Sequence, residues 1–85
     1  MELKEQFEAA VSNSKSLSQK PGNDVLLKLY SLYKQATEGD LATEAPSNPF
    51  DFVARAKYAA WEELKGITKE DAMQQYVDLI ASLKG

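Results

Sequence analysis

Cysteine and histidine are both missing from this 85-residue sequence. Without cysteine there are no disulfides, no thiolate zinc sites and no thiol nucleophile, and without histidine the commonest general base and metal ligand is gone. Enzymes suffer most from these absences, because no nucleophile remains paired with a recognisable base. Long hydrophobic runs are missing too. Nothing approaches the roughly 18 apolar residues that cross a bilayer, and the polar start Met1-Glu2-Leu3-Lys4-Glu5 lacks the apolar centre of a secretory signal. The expectation is a soluble cytoplasmic chain. Excess positive charge is absent as well: 10 basic against 13 acidic side chains leave a net charge of -3. Bulk electrostatic attachment to nucleic acid or to an anionic membrane is thereby disfavoured. Any anion this chain binds must meet a local cluster of lysines.

A chain of this length makes one domain, taken as residues 1–85, and buries only about 60 to 65% of the surface its unfolded form exposes. Its apolar residues have helical spacing. Leu3, Phe7, Ala10 and Val11 form one stripe, predicting a helix from Leu3 to about Ser14. The polar stretch from Ser12 to Asn23, with Pro21-Gly22 near its end, predicts a turn, after which Asn23 or Asp24 is the expected cap of a second helix running to about Thr37. Between Val25 and Tyr33 the apolar residues are too many for one stripe, so this helix must bury two faces or line a cleft. Gly39 is its expected stop, and Asp40 to Asn48 reads as an ordered loop. A third helix starts either with Asn48 as cap and Pro49 at its first position, or at Asp51. It carries Phe52, Val53, Ala56, Ala60, Trp61 and Leu64 on to Gly66. Thr68-Lys69-Glu70-Asp71 reads as a capping box with Asp in the place of Glu, opening a fourth helix through Met73, Tyr76, Val77, Ile80 and Leu83. No strand, repeat or low-complexity tract is expected.

On the second helix Tyr30, Tyr33 and Lys34 lie at i, i+3 and i+4 and so share one side. A phenol ring offers a face for stacking on a purine and a hydroxyl for a phosphate oxygen, and the lysine adds a compact positive charge, so the set suits a nucleotide. The same spacing also fits ordinary amphipathic packing. Lys15, Lys57, Tyr58 and Tyr76 join this group only if the fold brings their helices together. Trp61, the single tryptophan, reads as a core anchor.

The block Tyr30-Ser31-Leu32-Tyr33-Lys34-Gln35-Ala36-Thr37 is followed in order by Gly39-Asp40, Thr43-Glu44, Asp51-Phe52, Ala56-Lys57, Ala60-Trp61, Glu63-Leu64-Lys65-Gly66 and Lys69-Glu70-Asp71-Ala72-Met73. This series resembles the acyl-CoA-binding protein family over essentially the full length. The resemblance implies an all-α fold, an up-down-down-up four-helix bundle. It also implies a non-enzymatic carrier of medium to long-chain fatty acyl-CoA that needs no metal or cofactor and has no catalytic residue. In the family the residues matching Tyr30, Lys34 and Lys57 hold the 3'-phosphate of CoA, and the match to Tyr33 stacks on adenine. The matches to Lys15 and Tyr76 lie beside the nucleotide, and Leu27 matches a position lining the acyl groove. Ser31 and Leu32 lie within the same block and are carried with it as ligand-binding candidates. Fatty acyl-CoA is the implied partner, with acyl-CoA-using enzymes beyond it, for a monomer with no integral membrane segment. The chain departs from the family pattern at Ala45-Pro46-Ser47, at Ala54-Arg55, at Tyr58 and at Lys28, the last expected to set a charge near the acyl side. The alternative is a helical protein-interaction module that has lost acyl-CoA binding.

Overall fold

The computed structural model of the chain describes residues 2–17, 20–40 and 50–84. Within them lie four α-helices and no strand: α1 (Leu3–Ser14), α2 (Asn23–Glu38), α3 (Phe52–Glu62) and α4 (Lys69–Lys84). The α1 bounds are those the apolar stripe predicts. The start of α2 differs from expectation. Gly22, in extended conformation, is the N-cap, and neither Asn23 nor Asp24 caps the helix because the Leu26 N–H already bonds to the Gly22 carbonyl at 3.0 Å. Asp24 falls instead in the first turn, where a carboxylate favours the positive end of the helix dipole. Gly39 ends α2 as expected: its φ of 83° with ψ of -150° is open to glycine and strained for other residues, and its N–H bonds to the Gln35 carbonyl at 3.1 Å.

Of the two starts open to α3, the later is observed. Asp51 caps it, its carboxylate accepting from the Ala54 N–H at 3.0 Å. Asn48, Pro49, the expected loop beyond Asp40 and the Ala45-Pro46-Ser47 departure lie outside the described residues. After Glu62, bonds from Leu64 N to Trp61 O and from Lys65 N to Glu62 O tighten the chain into a turn that reaches Gly66, whose φ is 94°. Thr68 then caps α4, its hydroxyl accepting from the Asp71 N–H at 3.1 Å, as the capping-box reading expects.

Helix α4 packs on α1 and α2, and α3 packs on α2. The excess of apolar residues in α2 is explained by this central place. Its Leu29, Leu32 and Ala36 join Phe7 and Ala10 of α1, Leu64, and Ala72, Tyr76 and Ile80 of α4 in one core. A fully buried Leu or Ile, as Leu32 and Ile80 are, contributes about 1.5–3 kcal/mol through removal of apolar surface from water. Trp61 is buried as a structural anchor. Its indole N–H donates to Gln35 Oε1 at 3.1 Å and to the Gly39 carbonyl at 3.0 Å, pinning α3 to the end of α2.

Candidate functional site

Helix α2 presents Tyr30 and Lys34 one turn apart, and α3 brings Lys57 to them. The Lys57 ammonium lies 5.0 Å from the centre of the Tyr30 ring, and the Lys34 ammonium 5.9 Å from the same ring and 5.6 Å from that of Trp61. Two cations from two helices thus flank one phenol, each within the roughly 6 Å over which a ring face attracts an ammonium. Lys34 also donates to Glu38 Oε2 at 2.6 Å, and this hydrogen bond is the main cause that raises its pKa above the ordinary value. Among the described residues no carboxylate lies within ion-pair distance of Lys57.

Beside this cluster runs an apolar groove of about 400 Å³ between α2 and α3, lined by Leu26, Leu27, Phe52, Val53, Ala56 and Lys57. Its volume falls within the roughly 300–1,000 Å³ typical of small-molecule sites. Lys57 belongs to both features: it lines the groove while its ammonium stands over Tyr30. Phe52 and Val53 are 72% and 64% exposed, so apolar periodicity in α3 marks the groove wall there and not the core. Lys28 is exposed and does not line the groove. Two positions from Leu26 on a helix is about 200° of rotation, so the Lys28 charge leaves α2 on another side from Leu26.

A second hollow of about 530 Å³ opens between α1, α2 and α4, with Phe7, Val11, Tyr33, Ala36 and Met73 among its lining and Lys4, Glu8 and Lys69 supplying charge. Tyr33 faces it, 41% exposed. The Tyr33 ring stacks on Phe7 at 5.9 Å, and Phe7 in turn meets the edge of Tyr76 at 5.2 Å. Of the candidates, Leu27, Tyr30, Lys34 and Lys57 come together at one place, and Tyr33 faces the neighbouring hollow. Ser31 and Leu32 sit in the core, the Ser31 hydroxyl donating to the Lys28 carbonyl at 2.9 Å. Tyr76 is a buried ring at the end of the aromatic row. Lys15 is exposed at the end of α1, and no hydrogen bond, ion pair or ring contact among the described residues joins it to the cluster.

The acyl CoA binding protein family profile matches residues 4–80. This chain belongs to the acyl CoA binding protein family. It is 47% identical over 77 residues to acyl-CoA-binding protein homolog 1 of Caenorhabditis elegans, covering 91% of this chain and 88% of that one. To the acyl-CoA-binding protein of Dictyostelium discoideum it is 48% identical, covering 91% and 90%. It also matches enoyl-CoA delta isomerase 2 of Rattus norvegicus at 52% identity over 91% of this chain, but spans only 19% of that protein's length. The crystal structure of Oryza sativa acyl-CoA-binding protein 2 superposes with a TM-score of 0.90 at 38% identity, covering 96% of this chain and 90% of that one. The all-α fold implied by the sequence is therefore the family's fold.

Within this acyl-CoA-binding fold several residues near the site carry no role in the sequence reading. Gln35 is fully buried: its amide donates to the Ile67 carbonyl at 2.7 Å and to Asp40 Oδ1 at 2.9 Å while its carbonyl accepts from Trp61. Asp40 also accepts from the Gly66 N–H at 2.9 Å, and that bond, followed by the one from Gln35, holds its carboxyl below the usual aspartate range. A polar residue three positions after Leu32 in an otherwise apolar stripe is the sequence signal for such a buried hub. Glu38, four residues after Lys34, is legible as an ion pair by spacing alone. Among the described residues no cluster of metal-ligating side chains occurs, and no helix is long and apolar enough to cross a membrane.

Proposed function

We propose that this chain binds medium to long-chain fatty acyl-CoA thioesters non-covalently, as a carrier that releases them unchanged. One observation carries the reading: a pair of lysine ammoniums converges on Tyr30 directly beside an apolar groove, and Lys57 takes part in both. A ligand that joins an anionic head to a long apolar tail satisfies both features at once. In this reading Lys34, Lys57 and the Tyr30 hydroxyl hold the 3'-phosphate, Tyr33 stacks on adenine, and the acyl chain lies along Leu27, Phe52, Val53 and Ala56. Each charged hydrogen bond contributes about 1.5–3 kcal/mol, and each methylene withdrawn from water about 0.8 kcal/mol, before the cost of ordering the ligand. The exposed Phe52 and Val53 are then covered by the ligand's own chain.

Tyr76 serves through Phe7, fixing the plane against which Tyr33 rests, and Ser31 and Leu32 serve by setting the α2 core face so that Tyr30 and Lys34 point the other way. Lys15 reaches the head group only as a long-range cation. Residues 1–85 act as one acyl-CoA-binding domain, monomeric and cytoplasmic, delivering its ligand to acyl-CoA-using enzymes. Isothermal titration with palmitoyl-CoA, and with CoA and palmitate separately, tests the proposal. Tight one-to-one binding of the thioester, with far weaker binding of either half, is the expected result. Equal affinity for palmitate and palmitoyl-CoA sinks it, and no binding of any of the three leaves the tyrosine face to a protein partner.

A further inference from the structure

We propose that Glu38 is an internal competitor for the ligand's phosphate: its carboxylate contests the Lys34 ammonium, and so sets how strongly the site discriminates phosphorylated from dephosphorylated CoA esters. The inference rests on the proposed phosphate-binding role of Lys34.

Lys34 Nζ donates to Glu38 Oε2 at 2.6 Å, so the ammonium that faces Tyr30 and Trp61 is already engaged by an anion of this chain. The Glu38 side chain is 52% exposed and that of Lys34 30%, which leaves the carboxylate free to swing into water while the lysine keeps its place between the two rings. Lys57 offers the contrast of a cation over the same Tyr30 ring with no carboxylate at ion-pair distance among the described residues. Helix stability gives little reason for Glu38. It is the last residue of α2, where the negative end of the helix dipole disfavours a carboxylate, and Lys preceding Glu by four is the weaker order of that pair. The favourable term for Glu38 is Lys34 itself, and an arriving phosphate must both displace it and approach a like charge. Exposed pairs of this kind are worth up to about 1 kcal/mol, which corresponds to about a two- to fivefold change in affinity.

The test is titration of wild type, Glu38→Gln and Glu70→Gln with palmitoyl-CoA and with 3'-dephospho-palmitoyl-CoA. Glu70, exposed in the first turn of α4, removes the same charge from elsewhere. Glu38→Gln is expected to tighten palmitoyl-CoA two- to fivefold, to leave the dephospho ester within error of wild type, and to keep a single cooperative melt. The gain shrinks at high salt. Equal gains in Glu38→Gln and Glu70→Gln, or equal gains for both esters, overturn the competition and assign the effect to net charge. Wild-type discrimination between the esters with no change in Glu38→Gln also overturns it, while the phosphate reading survives. If wild type itself does not distinguish the esters, the phosphate reading falls and the inference falls with it.

Discussion

Lys57 carries two interactions in one side chain: its stem lines the apolar groove and its ammonium stands 5.0 Å from the Tyr30 ring centre. The two are separable by substitution. Lys57→Met keeps most of the stem and removes the charge, whereas Lys57→Ala removes both. Both variants are expected to weaken palmitoyl-CoA by about tenfold or more, the worth of a charged hydrogen bond. Only Lys57→Met should keep the wild-type gain in affinity per added methylene, because the groove wall is intact. Lys34→Ala should cost less head-group affinity than Lys57→Met, because Glu38 already engages the Lys34 ammonium, and should lower stability by no more than about 1 kcal/mol, the upper worth of that exposed pair. Titrations across a series of acyl chain lengths, paired with urea melts, separate these outcomes. An unchanged affinity in Lys34→Ala and in both Lys57 variants shows that the head group lies elsewhere.

At the scale of the elements, what fixes α3 against α2 is a polar hub in an apolar setting. The Trp61 indole, the Gln35 amide and the Asp40 carboxylate join the end of α2, the body of α3 and the turn before α4. Trp61→Ala is expected to cost about 3–5 kcal/mol of unfolding free energy, from lost burial and the cavity left behind. Gln35→Leu fills similar space but orphans the Ile67 carbonyl and removes one of the two acceptors of the Trp61 indole N–H, and should cost about 1–3 kcal/mol in denaturant melts. Asp40 titrates in acid. Its folded-state pKa is depressed below 3.8 by the Gly66 and Gln35 bonds, so its contribution is present above that value and is lost as pH falls through the lower folded value. Asp40→Asn should therefore flatten the acid end of the stability profile, and an identical acid limb in the variant refutes this. Helix existence and most helix ends were legible, because Gly39, Asp51 and Thr68 mark ends by local chemistry alone, whereas α3 stops at Glu62, short of the Gly66 expected to end it, and the chain goes on to Gly66 as a turn. The lysine–tyrosine cluster was only half legible: spacing put Tyr30 and Lys34 on one side of α2, but Lys57 is 23 positions from Lys34 and meets it only through packing. Periodicity placed Phe52 and Val53 on α3 without saying what they face, since a groove wall and a core wall obey the same period. The α2 cap misled because a glycine carbonyl can close the first turn without a side chain.

For the whole molecule, a net charge of -3 and an anionic ligand are reconciled by arrangement. Lys34 and Lys57 meet on one flank of α2, so the local field opposes the global one, and salt should screen their attraction while leaving groove contacts nearly untouched. Two slopes follow from that separation. Affinity for palmitoyl-CoA is expected to fall as ionic strength rises, and the fall should be shallower for Lys34→Ala, which has one fewer cation. Affinity along an octanoyl to stearoyl series should climb by less than about 0.8 kcal/mol per methylene, since ordering the chain offsets part of the transfer gain. The climb should then flatten once the groove of about 400 Å³ is filled, because further methylenes remain in water wherever they extend past Phe52 and Val53. Titration at a series of salt concentrations and chain lengths reads both slopes on one protein. A salt-independent affinity would remove the lysines from the head-group site, and a strictly linear climb to the longest chain would mean that the acyl chain is sheltered by more than this groove.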